Sequence, residues 1–209
     1  EDFRQRGGGA CAHQFWYVQS NFERWPGTDA GSAIQSLNQN FILLSGLPGT
    51  GKSSLAEAVG RELKIPVFAK DWLEANLVTS GLVSNNKDQL LGFTGYNLLT
   101  LLAKRQLELQ QSVILDCVAS TESIRATWKD LADCFGANWL VIECICSDEN
   151  LHRERLLERE RRIPGWYELD WADIERIKTY FVPWNEPRLV LDAVHPYEEN
   201  VSKAITYCT

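Results

Sequence analysis

The sequence predicts an α/β fold in which a parallel sheet is covered on both faces by helices. Three observations lead there. From residue 41 onward, short apolar runs alternate with stretches of helical periodicity, the pattern of strands joined by crossover helices. A glycine-rich run, Gly46-Leu47-Pro48-Gly49-Thr50-Gly51-Lys52-Ser53, separates the first apolar run from the first helical stretch. Finally, 209 residues with 44% hydrophobic content suffice for one good-sized core with at most a short appendage.

The elements follow in order. Phe41-Ile42-Leu43-Leu44 reads as a strand buried on both faces, and Leu55, Val59 and Leu63 form one stripe of a helix from Ser53 to Leu63. Pro66-Val67-Phe68-Ala69 is a second strand, followed by a helix starting near Asp71 with Trp72, Leu73 and Leu77 inward. Gly81 to Gly92 reads as a polar loop. Leucines at 98, 99, 102, 107 and 109 predict a helix over roughly 94–110, and Val113-Ile114-Leu115 a third strand ending at Asp116. Ser120 or Thr121 caps a helix carrying Ile124, Trp128 and Leu131, and Trp139 to Ile145 is a fourth strand. Asp148 caps the next helix, expected to run to about Arg162, where Pro164-Gly165 breaks it. Trp171 to Phe181 is helical, Leu189-Val190-Leu191 is a fifth strand, and 197–207 is a closing helix. Strands separated by helices imply right-handed crossovers.

Residues 1–36 differ from the rest. Gly7-Gly8-Gly9, Phe15-Trp16-Tyr17 and Trp25-Pro26-Gly27 lack lasting periodicity, so the expected organisation is an N-terminal extension of unassigned role followed by one domain over 37–209. Methionine is absent, position 1 included, so the chain is read as truncated or as lacking residues, which would compress some spacings. The formal charge of −7 and a pI near 5.1 oppose a protein whose main task is coating nucleic acid. No apolar run is long enough to span a bilayer and no secretory signal opens the chain, so a soluble, cytoplasmic protein is expected. The six cysteines contain no C-x-x-C pair and are read as reduced thiols. Cys144 and Cys146 would share one strand face as small core residues, and Cys11 with His13 is read as incidental rather than metal-binding.

The run at 46–53 satisfies G-x-x-x-x-G-K-[ST], with a buried strand before it and an amphipathic helix after it. Its glycines let successive backbone N–H groups surround phosphate oxygens, and the helix N-terminus adds unpaired donors and a positive dipole end. Lys52 is placed to reach β- and γ-phosphates, Ser53 to put a hydroxyl on Mg²⁺, and Ser54 to touch the α-phosphate. Asp116 ends an apolar strand, where a carboxylate is costly unless it faces the open sheet edge beside a metal; a helix-capping role is the alternative. Asp71, just past the second strand, lies at the same edge and suits a general base for a substrate hydroxyl, the alternative being an N-cap. Lys70 reads as solvated surface or as a grip for an anionic group. Arg155, Arg159 and Arg162 fall at i, i+4 and i+7, one stripe of an arginine-rich helix, and a lid bringing such a fork onto a transferring phosphoryl group is the functional reading.

With GLPGTGKSS, the aspartate of FAKDWLEA, the strand VILD, CSDENLHRERLLERERR and LVLDAVHPYEENV, residues 41–208 resemble small P-loop kinases of the nucleoside-kinase group, often described as AAA-domain ATP-binding proteins. Polynucleotide kinase, chloramphenicol phosphotransferase and zeta-toxin kinases are relatives of that group. The resemblance implies a P-loop NTPase three-layer sandwich: a parallel five-stranded sheet in the order 2-3-1-4-5, nucleoside-kinase-like, with a helical lid. It further implies Asp71 as the base acting on the substrate hydroxyl, Arg159 as a lid arginine, and the stretch after Asp192 as the edge of the adenine pocket. The 79–95 segment, where acceptor contacts would fall, departs from the antibiotic and sugar kinases.

The expected activity is transfer of the ATP γ-phosphate to a hydroxyl of a small molecule, with ATP preferred over GTP because no N-K-x-D run is present. A polynucleotide 5′-hydroxyl kinase is a second enzyme reading, opposed by the charge. A nucleotide-dependent switch without an acceptor is a third, from a different class.

Overall fold

The computed structural model describes residues 39–83, 89–161 and 163–209; the 1–36 extension, with Cys11 and His13, lies outside them, as does Arg162. Five strands form one wholly parallel sheet: β1 (Asn40–Ser45), β2 (Val67–Ala69), β3 (Val113–Asp116), β4 (Asn138–Ile145) and β5 (Leu189–Asp192), in the order β2-β3-β1-β4-β5. β1 is central, and Phe41, Ile42, Leu43 and Leu44 are fully buried, as a run of four consecutive apolar residues requires of a strand covered on both faces. Register then sets the chemistry. Leu44 pairs with Asp116, Ala69 also pairs with Asp116, and Ile145 pairs with Asp192, so the glycine loop, Asp71 and both strand-terminal aspartates emerge at one carboxyl edge.

Seven helices complete the described domain: α1 (Lys52–Leu63), α2 (Lys70–Thr79), α3 (Gln89–Glu108), α4 (Glu122–Phe135), α5 (Glu149–Leu157), α6 (Trp171–Lys178) and α7 (Tyr197–Cys208). Leu55, Ala56 and Val59 of α1 pack with Ile42, Leu44, Ile114 and Ile142 of the sheet and with Ala204 and Cys208 of α7. Gly60 lets α1 approach closely: a Cβ there would lie 2.4 Å from Val67 Cγ2 and 3.0 Å from the Ile65 carbonyl. On the other side of the sheet, Trp128 of α4 is fully buried near Phe41, with its Nε1–H donating to Thr100 Oγ1 at 2.8 Å, so the polar end of the largest core side chain is satisfied. Among the described residues no helix is long and apolar enough to cross a membrane.

Besides Trp72, expected inward but 52% exposed on α2, three sequence expectations change. The third helix is in place by Gln89 rather than 94, because Leu91 continues its apolar face to full burial; of the loop predicted over 81–92, residues 89–92 are helical and 84–88 lie outside the described residues. The arginine-rich helix stops at Leu157, so Arg159 sits on irregular chain and the expected Arg155, Arg159, Arg162 stripe is not a helical face. Asp148 caps its start as expected, accepting from Asn150 and Leu151 N–H. Third, Cys144 is a core residue but Cys146 lies past the end of β4, half-exposed, with its thiol donating to the Asp148 carbonyl. The five described cysteines are free thiols, and burial pushes the Cys144 thiol up to about 12 and that of Cys208 to about 11.

Gly60→Ala should overpack the α1–β2 contact against a short side chain and a fixed carbonyl, costing about 1–3 kcal/mol, less the gain of up to about 1 kcal/mol from helix propensity. Gly92→Ala, where a Cβ meets nothing within 4 Å, should be neutral or stabilising. Thermal denaturation of the two variants checks the contrast: Gly60→Ala lowers Tm by a few degrees and Gly92→Ala does not.

Candidate active site

The loop between β1 and α1 is held open by positions that only glycine fills easily. Gly46 has φ 135°, and a Cβ there would lie 2.1 Å from the Cys144 carbonyl oxygen, inside any van der Waals contact. Gly49, with φ 87°, packs against the His152 ring, where a Cβ would come within 3.1 Å. The Thr50 hydroxyl donates to the Leu47 carbonyl at 2.8 Å, closing the loop on itself. His152, buried on α5, donates Nε2–H to the Pro48 carbonyl at 2.7 Å and meets Trp171 edge-on, ring centroids 5.2 Å apart. The carbonyl can only accept, which fixes the imidazole tautomer. No side chain caps the N-terminus of α1 and no acidic residue stands in its first turn, so its first N–H groups and positive dipole end are left for an anion.

Two of the clefts that border this loop share Lys52 as a wall. The larger, about 690 Å³, runs from Gly49–Ser54 to Arg155 and Arg159 and on to Ala193, His195 and Tyr197, the stretch after Asp192. The smaller, about 290 Å³, is lined by Pro48, Lys52, Lys70, Asp71, Glu74, Tyr96, Asp116, Ser120, Arg161, Trp166, Tyr167, Arg176 and Tyr180. Lys52 itself is 6% exposed. Asp116 stands beside it, also buried, and its Oδ1 has no hydrogen-bond partner. Burial raises the Asp116 carboxyl above the usual carboxylate range, with the Lys52 charge and the Ser53 hydroxyl acting against that rise. A buried carboxylate oxygen without a partner, next to the Ser53 hydroxyl and an ammonium, is a donor set that suits Mg²⁺ with its preference for oxygen ligands and retained waters. Asp116 does not cap a helix; the N-cap position of α4 is Thr121.

Asp71 lies in the first turn of α2 but is not its N-cap, which is Ala69. Its carboxylate instead receives Nη1–H of Arg161, a residue ninety positions further on whose side chain is 4% exposed. Arg161 is also held by Glu168, which accepts its backbone N–H at 3.0 Å and sits 3.9 Å from its Nε. Arg159 faces the same group: burial pushes its guanidinium below the ordinary arginine value, Arg161 adds to that, and its Nη1 is buried without a partner. Arg155 is exposed on α5 at the rim of the larger cleft. Lys70, read as solvated surface or as a grip for an anionic group, is not at the surface: it is turned inward in an ion pair with Glu74 and lies 4.6 Å over the Tyr96 ring. Burial raises the Glu74 carboxyl and Lys70 opposes the rise.

Lys52, Ser53, Ser54, Arg155 and Arg159 thus line the larger cleft, and Lys52, Asp71 and Asp116 the smaller, while the helical arginine stripe does not form. Sequence reasoning missed His152, Arg161, Glu74 and Tyr96. For Glu74 a signal existed: it follows Lys70 at i+4, the spacing of a helical ion pair. Arg161 stood within the arginine-rich run but off the chosen spacing, and His152 gave no signal, because its partner lies 104 residues away.

Known structures place this architecture. A kinase by assignment from Chloroflexus aurantiacus superposes with a TM-score of 0.66 at 21% identity, covering 82% of this chain and all of that one. A gluconokinase from Sinorhizobium meliloti gives 0.60 at 19% identity over 82% of this chain and 92% of the other. The Mycobacterium tuberculosis APS kinase, solved with AMPPNP and APS, gives 0.58 at 18% identity over 81% and 97%. No curated protein matches the chain. At these identities the structures establish a common fold, that of small P-loop kinases. Residues 41–183, from the first buried residue of β1 to beyond α6, match the model of the AAA domain, and the chain belongs to that family.

Proposed function

We propose that the protein transfers the γ-phosphate of ATP to a hydroxyl group of a small molecule. The observation that carries this reading is Lys52 standing as the common wall of two clefts, one bearing the glycine loop and the other bearing Asp71 and Asp116. A triphosphate cradled by Gly46, Leu47, Pro48, Gly49, Thr50, Gly51, Lys52, Ser53 and Ser54 would end at Lys52, facing the second cleft. The base would extend toward Ala193, His195 and Tyr197.

In this reading an acceptor hydroxyl in the smaller cleft gives its proton to Asp71 as its oxygen bonds to the γ-phosphorus. The bond from that phosphorus to the β–γ bridging oxygen breaks, and ADP leaves. Lys52 and the α1 N-terminus hold the phosphate oxygens, while Arg161 orients the Asp71 carboxylate. Arg159, with an unclaimed buried Nη1, is the lid arginine best placed to meet the transferring group, and Arg155 serves the outer phosphates from the rim. Ser53 and Asp116 would hold Mg²⁺, which supplies charge neutralisation on the β- and γ-phosphate oxygens when bound.

Three variants test these roles. Lys52→Ala should abolish transfer from γ-labelled ATP, and Asp71→Asn should lower it by about 10²–10⁴-fold while leaving affinity for an ATP analogue unchanged; full transfer by Asp71→Asn would remove it from the base role. Labelled phosphate moving onto an oligonucleotide 5′-hydroxyl would favour a polynucleotide kinase, and hydrolysis with no acceptor a nucleotide switch. Asp116→Asn should raise the magnesium concentration needed for half-maximal activity at least tenfold, read from a magnesium titration at saturating ATP.

A further inference from the structure

Resting on the kinase reading above, the smaller cleft indicates what kind of acceptor it takes. Among the described residues four cations line it, Lys52, Lys70, Arg161 and Arg176. Lys52 belongs to the phosphate loop. Each of the other three is already bound to a carboxylate: Lys70 to Glu74, Arg161 to Asp71 with Glu168 behind it, and Arg176 to Asp173 at 2.7 Å. The Lys70–Glu74 pair is the most telling, because both side chains are nearly buried and Gly95 leaves room for the glutamate, a Cβ there coming within 2.7 Å of its Oε1. A buried pair is costly to desolvate and adds little net stability. Here it spends the positive charge that an anionic acceptor would need.

What remains is a surface of alternating donors and acceptors between aromatic faces. Tyr96, Ser120, Tyr167 and Tyr180 offer hydroxyls, Asp71 and Glu74 offer carboxylate oxygens, and Trp166 holds a buried Nε1–H with no partner in the protein. An orphaned buried donor in a cleft wall calls for an acceptor oxygen on the ligand. The volume, about 290 Å³, is at the bottom of the range for small-molecule sites, roughly 300–1,000 Å³. We infer that the acceptor is a neutral, polyhydroxylated molecule of about one ring, bound through hydroxyl groups by Glu74, Lys70 and Trp166 and presented to Asp71. A free sugar or the ribose of a nucleoside meets this chemistry, and an acid or a phosphorylated compound does not.

The test measures binding by calorimetry, in the presence of a non-hydrolysable ATP analogue, and transfer from γ-labelled ATP for the same panel: monosaccharides and linear polyols, nucleosides, sugar acids, sugar phosphates and a 5′-hydroxyl oligonucleotide. The expected result is binding and transfer for a neutral member, with separate arms telling sugar from nucleoside. Glu74→Gln should then raise its KM at least tenfold with a smaller change in kcat, and shift preference toward the matching acid by releasing Lys70. The double variant Lys70→Gln with Glu74→Gln leaves no unpaired buried charge and should show the same KM loss; affinity for the ATP analogue, measured alongside, reports an intact fold. Preference of the unaltered protein for a sugar acid, sugar phosphate or oligonucleotide overturns the inference, as does an unchanged KM in both variants. Binding of a neutral polyol without any transfer instead overturns the kinase reading and leaves the acceptor class standing, while no binding by any member overturns both.

Discussion

The phosphate loop depends on a close approach between two backbones that have no sequence neighbourhood in common. Gly46 passes so near the Cys144 carbonyl of β4 that any side chain would collide with it, and two residues later the Pro48 carbonyl turns to accept from His152 on α5. These contacts press the loop against the β4–α5 junction, with Thr50 and Leu47 tying it from inside. A loop with three glycines has many conformations to lose, and an anion site made of backbone N–H groups works only when one of them is selected in advance. Burying His152 beneath the loop performs that selection. The remaining site follows from it, since Lys52 and Ser53 open the helix that the loop begins.

The parallel sheet supplies the second half of the arrangement. Because Leu44 and Ala69 both pair with Asp116, β3 brings its terminal aspartate between the loop after β1 and the helix after β2. Lys52, Asp116 and Asp71 therefore converge although 64 positions separate the first two in the chain. The same geometry explains why an apolar strand ends in a buried carboxylate at all. Its cost is offset by an ammonium and a hydroxyl close by, and the oxygen left without a partner is the feature that suits a cation.

The smaller cleft is closed by chain that follows the arginine-rich helix. Arg161 on that segment reaches Asp71, Glu168 supports Arg161, and Trp166 and Tyr167 add an aromatic wall. The lid and the floor are thus joined by an ion pair through the residue that would act on the acceptor. Arg159, two positions earlier, remains with a buried unpaired nitrogen, so the two arginines differ in what they are free to meet. On the floor, Lys70 and Glu74 neutralise each other beneath Tyr96.

Local pattern was enough for much of this. The glycine loop between a strand and a helix, the burial of Phe41 to Leu44, the Asp148 cap and the existence of all five strands follow from spacing and periodicity within a dozen residues, where the chain's own geometry decides. The strand order came from resemblance rather than from periodicity, which carries no information on which strands are neighbours. What only the tertiary structure decided is partnership at long range. Arg161, off the spacing read for the arginine stripe, meets Asp71, because α5 ends at Leu157 and the chain after it reaches back to α2. Lys70 is an inward ion pair rather than a solvated charge, because α3 packs across α2 and shuts it in. His152 reads in the sequence as one more polar residue of a charged helix, and acquires its role only when β4 lies beside β1 and carries α5 beneath the loop. A sequence fixes the local periods of its elements, but the electrostatic partners of a buried group are set by whichever distant residue the packing brings to it.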